Sequence, residues 1–165
     1  MKSRRATLLV AMLLLTGCSS TAPSASSGAE GLEGVDVSGA STAQASEIGD
    51  NVATVDEYQA AFQRYRECLS AAGFELTDVE FTGFVYEAGV PNAAVEDGAD
   101  EECYVSEFRY TDMLWQGSDA VQNNSDTAQL LRDCLQGRGI EPADTLEEMN
   151  GQLGEAGIEV SECLS

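Results

Sequence analysis

Five cysteines, 29 carboxylates and no histidine bound the chemistry open to this 165-residue chain. Cys18 stands alone near the start. Cys68, Cys103, Cys134 and Cys163 follow, at intervals of 35, 31 and 29 residues. An even set of widely spaced thiols suits two disulfides in an exported chain. It suits zinc poorly, because no close cysteine pair exists. Without histidine neither a Ser-His-Asp nor a Cys-His arrangement can form. Lys2 is the only lysine. It lies in a segment expected to be removed, so Ser–Lys and Schiff-base chemistry go with it.

Carboxylates remain. Asp97, Asp100, Glu101 and Glu102 form an acidic run. The run lacks the alternating ligands and closing glutamate of an EF-hand loop. It reads as the solvated start of a helix, where negative side chains favour the macrodipole. A two-carboxylate hydrolase is the least favoured reading, because a domain this small seldom builds a sugar cleft. The expectation is no catalytic residue, no metal and no cofactor.

The elements that must position the cysteines are legible from caps and periodicity. Thr54 and Glu57 have capping-box spacing, and Tyr58, Ala61, Phe62, Tyr65, Cys68, Leu69 and Ala72 recur at helical intervals up to Gly73. Residues 74–81 and 84–87 suit a β-hairpin turning at Thr82-Gly83. Residues 90–98 read as a loop. A second long helix is expected over 99–116, with Tyr104, Phe108, Thr111 and Trp115 on one face and Cys103 near its start. The aromatic residues of these two helices read as core, whereas Tyr86 and Tyr110 read as candidates for an exposed partner contact. Ser125 or Asp126 caps a third helix running to Arg138 and stopped by Gly139. Thr145 and Glu148 open a fourth, with Leu146, Met149 and Leu153 as its apolar stripe.

The two halves echo each other. Arg66-Glu67-Cys68-Leu69 precedes Gly73-Phe74-Glu75, and Arg132-Asp133-Cys134-Leu135 precedes Gly139-Ile140-Glu141. The second cysteine of each half follows a glutamate, as Glu102-Cys103 and Glu162-Cys163. An internal duplication would close each half by its own bridge, Cys68–Cys103 and Cys134–Cys163, and this pairing is favoured. Convergence on common helix-end chemistry, with crossed bridges, is the competing reading, since four cysteines allow three connectivities.

Cys18 belongs to a different pattern. Lys2, Arg4 and Arg5 precede an apolar run from Ala6 to Leu15, the length of a signal-peptide core and too short to span a bilayer. Leu15-Thr16-Gly17-Cys18 resembles the lipobox of bacterial lipoproteins. That resemblance implies removal of residues 1–17, lipid attached to Cys18 and display on the outer face of the cell membrane. Two or more acyl chains make a stable anchor. Together with the Cys-Leu helix (Cys68, Leu69, Gly73) and a later Cys-Tyr helix ending in Trp-Gln (Cys103, Tyr104, Trp115, Gln116), the chain is similar to small cell-envelope lipoproteins of actinobacteria. That family hands over no active site.

Removal of the leader leaves five basic residues against 29 acidic ones, a formal charge of −24. Nucleic acid is therefore a poor partner. Residues 18–53, rich in Ser, Ala, Gly and Thr, read as a flexible tether with a reach of roughly 30–35 Å. The expected organisation is a leader over 1–17, the lipidated tether over 18–53 and a disulfide-stapled globular domain over 54–165. The expected fold is helix-rich α+β, with about four helices and a small hairpin. The expected role is a non-enzymatic binding or interaction module of the envelope, its partner a protein or wall component. A small-ligand or cation carrier is the alternative.

Overall fold

The computed structural model describes residues 31–164. The leader, Cys18, residues 19–30 and Ser165 lie outside the described residues. Among the described residues the architecture is helix-rich with one two-stranded antiparallel hairpin and two disulfides. No described helix is long and apolar enough to cross a membrane.

The central element is α2, Val55–Ala71. Thr54 Oγ1 accepts from Glu57 N (3.3 Å), and Glu57 Oε2 accepts from Thr54 N (2.8 Å), so the capping box closes in both directions. Tyr58, Ala61, Phe62, Tyr65 and Leu69 are buried on one face. The helix stops where Gly73 turns left-handed at φ 91°. Gly73 N then donates to Ser70 O and Phe74 N to Leu69 O. These two bonds satisfy carbonyls that the helix end would otherwise leave open.

Phe74 is therefore spent on the helix stop, and the hairpin starts later than its β-branched composition predicts. Its strands are β1, Thr77–Phe81, and β2, Tyr86–Gly89, with Phe81 opposite Tyr86. Thr82 closes the four-residue connection by accepting from Val85 N (3.3 Å). The Tyr86 ring stacks on Phe62 at 3.9 Å between centroids. Tyr86 is thus half-buried core rather than an exposed contact. The segment expected as a loop contains α3, Asn92–Asp97, seated by the fully buried Ala94 and ended by Gly98.

The expected helix over 99–116 is two helices. α4 spans Ala99–Glu107 and α5 spans Arg109–Gln116, separated at Phe108 (φ −134°, ψ −41°). The break turns the Phe108 ring into the cluster formed by Tyr58, Phe62, Tyr65 and Tyr104. A break costs helical hydrogen bonds, and its backbone groups need partners. Gln44 supplies them. Its Nε2 donates to Val105 O (2.9 Å) and Ser106 O (2.6 Å), while its Oε1 accepts from Tyr110 N (2.7 Å) and Thr111 N (3.3 Å). Ser106 O and Tyr110 N, which a continuous helix would join directly, both reach this one side chain.

Gln44 lies on α1, Thr42–Glu47, in the stretch expected to be tether. Residues 31–53 instead pack as a strap. Ile48 and Ala53 enter the core, and Gln44 is fully buried. Arg64 of α2 grips Glu47 with two bonds (2.8 and 2.6 Å) and donates to Glu107 of α4 (3.2 Å). Tyr110 Oη donates to Asp36 O (3.0 Å) beneath the strap, which is why Tyr110 is buried and not a surface contact. The folded unit therefore begins before Thr54. Few residues of the strap are large and apolar. It is held instead by polar groups meeting partners more than forty residues away in most cases.

After α6, Asp119–Gln122, the chain enters a second unit. α7 spans Asp126–Gly137 behind a Ser125 cap, and α8 spans Leu146–Glu155 behind a Thr145 cap. Ala128, Leu131, Leu135, Met149, Leu153 and Cys163 form a core distinct from the first. α7 ends as α2 does, with Gly139 N on Gln136 O and Ile140 N on Leu135 O. α8 repeats the motif at Gly157 and Ile158.

Cys68 is joined to Cys103 and Cys134 to Cys163, one bridge per half. The echo holds at the first helix of each half and fails at its partner. Cys103 sits in α4, whereas Cys163 follows the 3₁₀ turn Val160–Glu162. The described residues contain eight α-helices rather than about four. The surplus consists of the short α1, α3 and α6 and the division at Phe108.

Candidate functional site

An open cleft of about 820 Å³ lies between α6 and the first turns of α8. One wall is built from Trp115 outward. Ser118 Oγ donates to Trp115 O (2.6 Å), turning the chain into α6, and Val121 packs back on the first core. Asp119 and Gln122 then face the cleft. The other wall depends on the Thr145 cap, whose Oγ1 accepts from Glu148 N (3.2 Å). Behind it Gln152 holds the approach, accepting from Ala143 N (3.0 Å) and donating to Glu141 O (2.8 Å). Glu147, Glu148 and Asn150 line this side.

Asn123 stands at the back. Its Oδ1 accepts from Leu146 N (2.8 Å), and its backbone carbonyl accepts from Arg132 Nη2 (2.5 Å). Gln122 Nε2 donates to Gln116 O (2.7 Å). Glu148 belongs to the Thr145 cap, with the hydroxyl donating to Oε2 at 3.0 Å. The side chains of Asp119, Glu147 and Asn150 are exposed and make no bond among the described residues. The cleft therefore offers two carboxylates and an amide to a visitor, and its lining residues include no cysteine, histidine or aromatic ring.

A smaller concavity of about 340 Å³ lies beside Arg64, Glu67, Cys68 and Glu107. Its guanidinium is already engaged by Glu47 and Glu107, so the site fastens the strap.

The acidic run expected as a helix start is one. Asp100, Glu101 and Glu102 occupy the first turn of α4 and Asp97 ends α3. Asp100 accepts from Tyr65 Oη (2.5 Å) and Glu101 faces Arg109 at 3.8 Å. Among the described residues no three potential ligands gather in a way that could hold a metal ion. The groups whose ionisation burial raises belong to the first half, and none of them lines the cleft. Burial raises the Asp112 carboxyl, against the opposing bonds from Gln116 Nε2 (2.7 Å) and Tyr104 Oη (2.8 Å). Burial also raises the phenols of Tyr58, Tyr65 and Tyr104, Tyr58 to about 12. Each is bonded within the chain, Tyr58 Oη accepting from Tyr86 N (2.9 Å). Displaced ionisation marks functional sites and structural networks alike. Here every member is spent on packing, and among the described residues no buried side-chain polar atom lacks a partner.

Sequence reasoning missed the cleft residues. Asp119, Asn123 and Glu147 belong to no motif, and only the approach of α8 to α6 makes them neighbours. Compared with known proteins, the chain matches no family model, no curated protein and no solved structure.

Proposed function

We propose that this protein is a lipid-anchored, non-enzymatic binding module of the cell envelope, displayed on the outer face of the cell membrane through Cys18. The observation that carries this reading is the division of labour among polar side chains. Those inside are committed to the fold, while Asp119, Glu147 and Asn150 stand uncommitted around an open cleft. Such a surface suits recognition of a partner by hydrogen bonds and charge. The leader and lipobox-like Leu15-Thr16-Gly17-Cys18 support the address, and the partner class is an envelope protein or wall component. The alternative, a small-ligand or cation carrier, draws its support from the volume of the cleft, which lies within the range of ligand sites.

Cross-linking in intact cells, with mass spectrometry, separates these readings. Wild type is expected to capture one partner reproducibly. Cys18→Ala is expected to leave the membrane fraction and lose that partner. A Cys18→Ala protein that stays with membranes would refute the anchor. Efficient cross-linking without any protein or wall partner would favour the carrier.

A further inference from the structure

The two hydrophobic cores are separate clusters. No residue from 116 to 127 is buried. The residues before this stretch contribute to one hydrophobic core and those after it to another. Glu162 aside, no hydrogen bond, ion pair or ring contact joins described residues of 31–116 to those of 126–164. Each half has its own disulfide. The second half has fewer than 40 described residues after Ser125, a size at which a covalent staple substitutes for core area.

The division passes through one dipeptide. Val121 packs on the first core and Gln122 bonds Gln116 O, both on the side of the first half. Asn123 receives two bonds from the second half, one from Arg132 and one from Leu146 N. The second bond joins the two walls at the back of the cleft, because Leu146 opens α8 and Asn123 follows α6. It also caps α8 from outside, satisfying one of the amides that a helix start leaves without a helical partner.

From this juxtaposition we propose that the protein is a hinge. The two stapled lobes turn about residues 122–125, and the Asn123–Leu146 bond is the latch that sets the width of the α6–α8 cleft. Small interfaces between units of one chain allow relative motion, and hinges lie at a few residues where elements end. The inference stands whatever the cleft binds, so it is independent of the function proposed above.

The test is the inter-lobe distance in the full chain. Bioorthogonal spin labels are placed at exposed Ala60 on α2 and exposed Glu155 on α8. Wild type is expected to give one narrow distance distribution. Asn123→Ala is expected to broaden it or add a second maximum, with Trp115 fluorescence and helix content unchanged. Asn123→Asp keeps the acceptor and is expected to restore the narrow distribution. Leu146→Pro breaks the same bond from the other side, since it removes the N–H at the first helical position, where proline is accommodated. It is expected to match Asn123→Ala, and it serves if that variant fails to fold. A narrow wild-type distribution that Asn123→Ala and Leu146→Pro both leave unchanged would overturn the hinge. A wild-type distribution as broad as theirs would overturn the latch.

Discussion

The two lobes solve one problem with different materials. All eleven aromatic residues lie between Tyr58 and Trp115, in the first lobe. There the rings pack against one another around Tyr58, Phe62 and Phe108. The second lobe has none and closes on Leu131, Leu135, Met149 and Leu153. Both end their Cys-Leu helix by the same glycine device and both add one disulfide. The difference teaches what each staple does. In the first lobe a large core and an outer strap already fix α2 against α4, and Cys68–Cys103 reinforces them. In the second, two helices with a small aliphatic seam rely on Cys134–Cys163 to hold the tail against the core.

The largest expected effect breaks this comparison at its covalent links. In the chain-entropy model, loops of this length are worth roughly 3–4 kcal/mol each. The double variant Cys134→Ser/Cys163→Ser is expected to unfold the second lobe. Helix content measured by circular dichroism falls, while Trp115 emission stays native because it senses only the first lobe. Cys68→Ser/Cys103→Ser is expected to lower the melting point read at Trp115 but leave that lobe folded. Equal disturbance of Trp115 by both pairs would show a single cooperative unit instead.

A smaller effect tests whether the strap belongs to the first lobe. Gln44→Ala leaves Tyr110 N and Val105 O without their Gln44 partner, at a cost on the order of 1–3 kcal/mol for a buried group so orphaned. Denaturation followed at Trp115 is expected to shift by that amount, with the second lobe unaffected. A shift under about 0.5 kcal/mol, the ordinary range for surface changes, would show that the strap is not part of the cooperative unit.

The mildest probe is alkaline pH. Burial raises the phenols of Tyr58, Tyr65 and Tyr104 in the folded state above their ordinary value of 10.0. A group whose folded pKa is raised contributes stability that is whole below the unfolded value and is lost as pH climbs through the folded one. The first lobe should therefore weaken from pH 10 toward about 12, the value for Tyr58. Tyrosinate absorbance is expected to rise together with loss of the near-ultraviolet signal of Trp115. The second lobe, without tyrosine, has no such contribution. Titration of Tyr58, Tyr65 and Tyr104 near pH 10 with the first lobe intact would contradict the buried network.

Much of the second lobe was legible in advance. Ser125, Gly139, Thr145 and the apolar stripe of α8 are local signals, and the structure puts caps and stops where they stand. The same holds for α2. Legibility failed where a segment's state depends on a distant one. The strap has the composition of a tether because composition counts apolar residues, and what anchors it is an amide and a carboxylate. Tyr110 reads as exposed from the sequence because the strap that covers it has the composition of a tether. The helix over 99–116 looked continuous because nothing local opposes it at Phe108.

The sequence by itself determined the helix caps and glycine stops, the division into two cysteine-bearing halves and the chemistry that is excluded. These depend on backbone geometry within a few residues, or on residue types alone. Only the tertiary structure decided the helix break, the strap and the α6–α8 cleft. The break survives because Gln44 reaches backbone groups more than sixty positions away. In the cleft Asn123 accepts from the amide of Leu146, 23 positions away. Hydrogen bonds between distant segments leave no periodic trace in a sequence, since any polar side chain can make them and only the fold selects which one does.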